Sequence, residues 1–216
     1  MITTKHENKH IKAAVWNLKK LPAVFDPIKG KSLARKRQIS RHIPEVAACK
    51  TCLYIGAKPE RIELVDMLYG MGLDIDVLEV FEPNVKALKE LNKKWKIFRD
   101  IFQGDVRDLP EPLLGKGTWP DYDVIIFWHG PEHLNKEEIP GVLKELETGA
   151  RCFVILGCPW GDFPQDTTDG NIHEAHLCSL TPGFFENLGY SCHTIKKIHK
   201  RGSNIVAWKR IGHEKK

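Results

Sequence analysis

From residue 51 onward the chain alternates short β-branched or apolar runs with segments whose apolar residues recur at helical spacing. No other feature constrains the fold as strongly. Crossovers of this kind join parallel strands, and their helices must cover both faces of the sheet. "CLYIGA" reads as a first strand, "DIDVLEVFEP" as a second, "IFQGD" as a short third, "YDVIIFW" as a fourth and "RCFVILGC" as a fifth. The fourth is apolar enough throughout to be buried on both faces. Between the strands, "PERIELVDMLYGMG" sets Ile62, Val65, Leu68 and Tyr69 on one helical face, with Pro59 suited to a first turn and Gly70 or Gly72 to the end. "NVKALKELNKKW" repeats Val85, Leu88, Leu91 and Trp95, and "NKEEIPGVLKELETG" turns Ile139, Val142, Leu143 and Leu146 inward.

The rhythm changes near the end. "LTPGFFENLG" suits a short helix, and "YSCHTIKKI" and "SNIVAWKRI", joined by "HKRG", predict an antiparallel hairpin. The expected architecture is therefore α/β: a doubly wound, seven-stranded, mostly parallel sheet closed by a C-terminal antiparallel hairpin, over residues 49–212. A basic tail follows at 213–216. Residues 1–48 stand apart as a helical extension built from "KHIKAAVWNLKKL" and "SLARKRQISRHIPEV", which would cap the sheet or contribute to an acceptor pocket.

Composition narrows the function classes. A hydrophobic fraction of 42% with 28% charged residues belongs to an ordered globular chain. The segment "MITTKHENKHIK" has no apolar signal region and the longest apolar runs are far too short to cross a bilayer, so a cytoplasmic protein without a membrane partner is expected. Cys52, Cys152, Cys158 and Cys192 sit in or beside strands, as small buried hydrophobes do. Cys49 and Cys52 form a single CxxC that enters a strand and lacks a second ligand pair, so neither a zinc nor a redox role is expected of it. The net charge of +5 is uneven, with Lys29, Lys31, Arg35, Lys36, Arg37 and Arg41 close together. Such a run is either a solvated helix face or a contact for nucleic-acid phosphates through residues 29–42.

In open α/β sheets ligands bind at the carboxyl ends of the strands. The residues to inspect are Gly56 to Lys58, Glu82 to Asn84, Asp105 and Val106, Trp128 to His133, and Cys158 to Gly161. Together these resemble the class I S-adenosylmethionine-dependent methyltransferases, over roughly residues 50–210. "YIGA" occupies that family's glycine-loop position, "VFEPN" the acidic end of its second strand, "QGDV" the acidic loop after the third, and the closing hairpin its last two strands.

The resemblance implies S-adenosylmethionine as cofactor and methyl transfer to an oxygen or nitrogen of a small-molecule acceptor. It implies a cofactor wall drawn from Tyr54, Gly56, Ala57, Lys58, Glu82, Pro83, Asp105, Val106 and Trp128. Glu82 would accept both ribose hydroxyls, Asp105 the adenine amino group, and the Val106 backbone would meet the ring edge. Gly56 would let the backbone approach the cofactor, and Trp128 would face the sulfonium. Each has a plainer alternative: Glu82 as a helix cap, Asp105 as the partner of Arg107 or Arg61, and Glu79 as the competing acid, though placed inside the strand.

One departure from the family pattern is plain. Tyr54 stands where the family has an acid, and Lys58 and Glu60 stand at its second and third glycines. A helix beginning at Pro59 would still offer N–H groups, and Lys58 would bind the cofactor carboxylate. The alternative reading of the same departure is a non-catalytic module that binds nucleic acid or a protein partner. A nicotinamide-dependent oxidoreductase shares the sheet but lacks GxGxxG and has no use for the hairpin.

Methyl transfer needs an aligned acceptor and a route for its proton. His129, directly after the fourth strand, is the expected base, with His133 and His176 as further catalytic candidates and His173 beside them. "HGPEH" also matches the HxxEH of zinc hydrolases, but that chemistry needs a continuous helix, and Gly130 and Pro131 interrupt one. No metal is expected; a looser site using His129, His133, His173 and His176 is the alternative.

Overall fold

The computed structural model describes residues 31–59, 64–114, 119, 122–168, 170–195 and 203–212. Seven strands form one sheet: β1 Thr51–Ile55, β2 Asp74–Glu79, β3 Phe98–Gln103, β4 Tyr122–Trp128, β5 Ala150–Pro159, β6 Ser191–Ile195 and β7 Asn204–Arg210. Their order is β3-β2-β1-β4-β5-β7-β6. All neighbours are parallel except β7, which runs against both β5 and β6. Strand order reverses between β1 and β4, the place where a doubly wound sheet opens a crevice. The third strand is longer than the sequence pattern suggested, because Phe98 already pairs with Ile75.

Alternation sorts the strand residues between two cores. Cys52, Tyr54, Ile75, Val77, Val124, Ile126 and Trp128 lie on one face; Leu53, Ile55, Leu78, Ile125, Phe127 and Val154 lie on the other. The first face is covered by α1 Lys31–His42, α2 Val65–Gly70 and α3 Glu82–Trp95. The second is covered by α4 Glu111–Leu114, α5 Ile139–Gly149 and α6 Pro182–Glu186. Ile139, Val142, Leu143 and Leu146 of α5 are all buried, as their spacing predicts.

Two helical faces differ from expectation. Tyr69 and Trp95 are each 38% exposed, in the last turns of α2 and α3. Leu64 is held at φ 70°, so α2 starts at Val65 and no continuous helix runs from Pro59. The expected helix "KHIKAAVWNLKKL", Ile62 and the tail at 213–216 lie outside the described residues.

The described part of the N-terminal extension packs into the first core. Ile39 of α1, Ile43 just after it and Val46 in the 3-10 turn Pro44–Ala48 are buried among strand residues. The His42 ring stacks 5.2 Å from Trp208, and Arg210 donates to Glu45 at 2.5 Å. Arg37 and Arg41 of the basic run are exposed on α1. All six cysteines are free, and burial pushes the Cys49 thiol up to about 12, which suits a packing role.

Midway along β2, the Asp76 carboxylate is fully buried in the sheet interior. It accepts from Arg99 Nε at 2.9 Å and Nη2 at 2.6 Å, from the Asp100 backbone N–H at 3.0 Å and from the Tyr122 hydroxyl at 2.7 Å. Four donors satisfy both oxygens, as burial of a charge requires.

Candidate active site

The carboxyl ends of β1 to β4 frame an open hollow of about 610 Å³, including its mouth. Backbone bonds carry the parallel ladder one step past the strands. Gly56 N–H donates to Leu78 O at 3.0 Å, Gly104 N–H to Glu79 O at 3.1 Å and His129 N–H to Gly157 O at 2.7 Å. Gly56 adopts φ 81°, a conformation that side-chain-bearing residues rarely take, and this sharp turn sets the floor of the hollow.

Glu79 is the last residue of β2 and lines the hollow, only 5% exposed. Its Oε1 accepts from Phe81 N–H at 3.0 Å and Asn84 Nδ2 at 3.4 Å. Burial raises its pKa to about 7, against the pull of those two bonds. Oε2 has no hydrogen-bond partner among the described residues, so the carboxylate keeps acceptor capacity at the cleft. Glu82 lies elsewhere. It opens α3, exposed, and pairs with Lys86 one turn on; Pro83 beside it is exposed too.

Asp105 and Val106 line the hollow from the loop after β3. Asp105 caps the 3-10 turn Val106–Asp108, accepting from Arg107 N–H at 2.9 Å, Nε at 3.0 Å and Nη2 at 2.6 Å. Burial pushes its carboxyl up, but Arg107 more than offsets this and holds it below the usual range. The plainer alternative for Asp105 is thus a contact the structure makes. Tyr54, Ala57 and Trp128 are buried in the first core. The Trp128 indole occupies the space over Gly157, where a Cβ would meet its ring at 2.5 Å. None of the three lines the hollow.

His129 does line it, directly after β4, with φ 52°. For a residue with a side chain that conformation costs roughly 1–2 kcal/mol, and such strain clusters at working sites. Its Nδ1 lies 3.2 Å from Glu132 Oε1. Glu132 is 2% exposed at the sheet rim, in the 3-10 turn Pro131–His133. Burial alone would raise its pKa, yet the bond from His129 and the neighbouring imidazoles hold it below the ordinary value. Its second oxygen, Oε2, is buried with no partner among the described residues.

The loop after β5 folds back over this corner. Leu177 N–H donates to Glu132 O at 2.8 Å, the Gly161 and Leu180 backbones bridge at its base, and Lys58 Nζ reaches Glu174 at 2.6 Å. Asn171, His173 and Glu174 thereby become lining residues. His133 also lines the hollow, its Nδ1 3.0 Å from Ala175 O. His176 sits against it with ring centroids 4.9 Å apart, and its Nδ1 is 2.5 Å from Phe163 O. Burial pushes His176 below the usual imidazole range, partly countered by that bond. The geometry unites His129, His133 and His176 around Glu132, and the short turn containing the HxxEH segment precludes the helical zinc-hydrolase arrangement.

Glu132 was missed in the sequence reading although it is the "E" of "HGPEH". Glu79, inside the second strand, reads in the sequence as a salt-bridge or sheet-end contact, whereas in the structure it lines the hollow. Both are acids at strand ends, the one signal available for them.

No protein-family model and no curated protein matches the sequence. Solved structures do match. An S-adenosylmethionine-dependent methyltransferase from Archaeoglobus fulgidus aligns with 84% of this chain and 96% of its own at 16% identity and a TM-score of 0.55. The fold is that of the class I methyltransferases. The N-terminal domain of EvdMO1, solved with S-adenosylhomocysteine bound, aligns at 17% identity and TM-score 0.57, covering 86% of this chain and 83% of that one. An O-methyltransferase family protein from Burkholderia thailandensis covers 96% of this chain and 72% of its own at 10% identity and TM-score 0.52. In open α/β sheets generally, ligands bind at the strand-order reversal, which is where the hollow lies.

Proposed function

We propose that this chain is an S-adenosylmethionine-dependent methyltransferase that methylates an oxygen or nitrogen of a small-molecule acceptor. One observation carries the reading: a hollow at the strand-order reversal, floored by a left-handed glycine and holding, at the end of β2, an acid with one oxygen that has no partner among the described residues. The residues present fit the cofactor. Glu79 Oε2 is placed to accept from ribose hydroxyls, in the role the sequence pattern gave to Glu82. Val106 and its neighbours offer an apolar edge with backbone groups for the adenine, and Asp105 retains acceptor capacity beside its Arg107 pair. When bound, the cofactor supplies a methyl group activated by positive sulfur.

The protein's own task is to align the acceptor and take its proton. His129 is suited to it. With Glu132 accepting from Nδ1–H, the ring's lone pair is on Nε2, and the buried carboxylate stabilises the imidazolium that proton uptake creates. Lys58 ties the loop after β5 across the hollow rather than entering it, and that loop limits water at the reacting centre.

Calorimetric titration with S-adenosylhomocysteine tests the reading. Saturable one-site binding is expected, weakened at least tenfold by Glu79→Ala. Folded wild-type protein that gives no binding overturns it.

A further inference from the structure

The corner containing Glu132 has more polar capacity than a base and its orienting acid require. Glu132 Oε1 faces His129, while Oε2 is buried without a partner among the described residues. An orphaned carboxylate oxygen in a site 2% exposed is costly unless a cation completes it. Two imidazoles stand beside it. The Nδ1 of His133 lies 3.0 Å from Ala175 O and that of His176 lies 2.5 Å from Phe163 O. A carbonyl oxygen only accepts, so each Nδ1 carries the proton and each neutral ring presents its Nε2 lone pair. Imidazoles that ligate metals have their second nitrogen held in this way, which fixes tautomer and orientation.

We propose that Glu132, His133 and His176 form a binding site for a divalent transition ion of the manganese-to-zinc series. Two imidazoles and one carboxylate suit these borderline ions better than magnesium or calcium, which favour oxygen throughout. One ligand atom from each residue lies within 4.8 Å of the others. Neighbouring ligands around an ion at ~2.1 Å are roughly 3.4 Å apart, a closure that small rotations of the three side chains supply. Three protein ligands leave open positions, and His133 places them toward the hollow. The ion would there take an oxygen of the acceptor, a role that rests on the methyltransferase reading; the metal site itself does not.

The site differs from the sequence expectation in membership as well as in presence. His129 contributes through Glu132 rather than as a ligand, and His173 lines the hollow outside the cluster.

The test is titration of chelator-stripped full-length protein with Co²⁺, read by visible absorption, and with Zn²⁺, read by competition against a chromophoric chelator. One equivalent of each is expected to bind. Glu132→Gln and His176→Ala should each weaken binding tenfold or more, while His173→Ala binds like wild type. Circular dichroism reports whether each variant folds, and if Glu132→Gln does not, His176→Ala decides. Acetohydroxamate, a two-oxygen ligand, should shift the Co²⁺ bands. Absence of binding by wild type, or undiminished binding in a folded Glu132→Gln or His176→Ala variant, overturns the site. An unshifted spectrum overturns the open positions and with them the acceptor role. None of these readings depends on cofactor binding, so failure here is distinguishable from failure of the proposed function.

Discussion

Asp76 in the middle of the sheet and Glu79, three residues further along the same strand, are both buried carboxylates, and their surroundings are opposite. Four donors surround Asp76, including a two-pronged guanidinium. Glu79 has two donors, both on one oxygen, and burial pushes it up to about 7. Glu132, in the turn just past β4, repeats the pattern with an oxygen that has no partner among the described residues. The sheet interior satisfies its charge completely and so gains a fixed register. The rim leaves acceptor capacity unused, which costs stability and creates a place for something else to bind.

The comparison can be broken most forcefully at Asp76. Asp76→Ala leaves Arg99 and Tyr122 without their partner and should lower unfolding free energy by about 3–5 kcal/mol, measured by urea denaturation. A loss under ~1 kcal/mol would mean that the four bonds contribute little.

Glu79→Gln should act in the opposite direction. The wild-type group titrates near 7 when folded and near 4.5 when unfolded. The folded state therefore binds the extra proton between those values, and stability present below pH 4.5 is lost as pH rises through about 7. The loss is on the order of 3 kcal/mol. The variant should be more stable than wild type at pH 8 by about 1–3 kcal/mol, little changed at pH 5, and at least tenfold weaker for S-adenosylhomocysteine. Equal stability of the two proteins at both pH values would remove the strain argument.

Ribose hydroxyls donating to Glu79 favour its charged form. Binding of S-adenosylhomocysteine should thus expel up to about half a proton at pH 7, and more at pH 6, visible as a binding heat that varies with buffer ionisation enthalpy. Affinity should weaken as pH falls from 8 to 6. A heat independent of buffer contradicts the role given to Glu79.

Smaller effects sharpen the map. Lys58→Ala removes a partly exposed tie to Glu174 and should cost under ~1 kcal/mol in stability. Glu82→Ala touches only the exposed pair with Lys86 and should change cofactor affinity less than twofold, which separates it from Glu79.

The sheet was legible because burial on both faces writes itself into sequence as continuous apolar runs, as at "YDVIIFW". The hairpin was legible from its rhythm. The acid that ends the second strand was not, because "LEVFEP" offers two, and only the pairing of Glu79 with Gln103 on β3 shows which of them closes it. Trp128 has the right position in the chain for a cofactor contact, but Gly157 on the next strand gives its ring a place in the core. Lys58 reads as a carboxylate anchor until the fold-back of the loop after β5 supplies Glu174. The histidines were visible as a group. Their organisation around Glu132 depends on backbone carbonyls at 163 and 175, contacts across 13 and 42 residues of chain.

A crystal structure of the protein grown with S-adenosylhomocysteine tests the central claim most directly. The account predicts the ligand in the hollow at the ends of β1 to β4, with a Glu79 carboxylate oxygen within hydrogen-bonding distance of its ribose hydroxyls and Glu82 still facing solvent. A ligand bound elsewhere, or a ribose held by Glu82 while Glu79 stays unengaged, would contradict it.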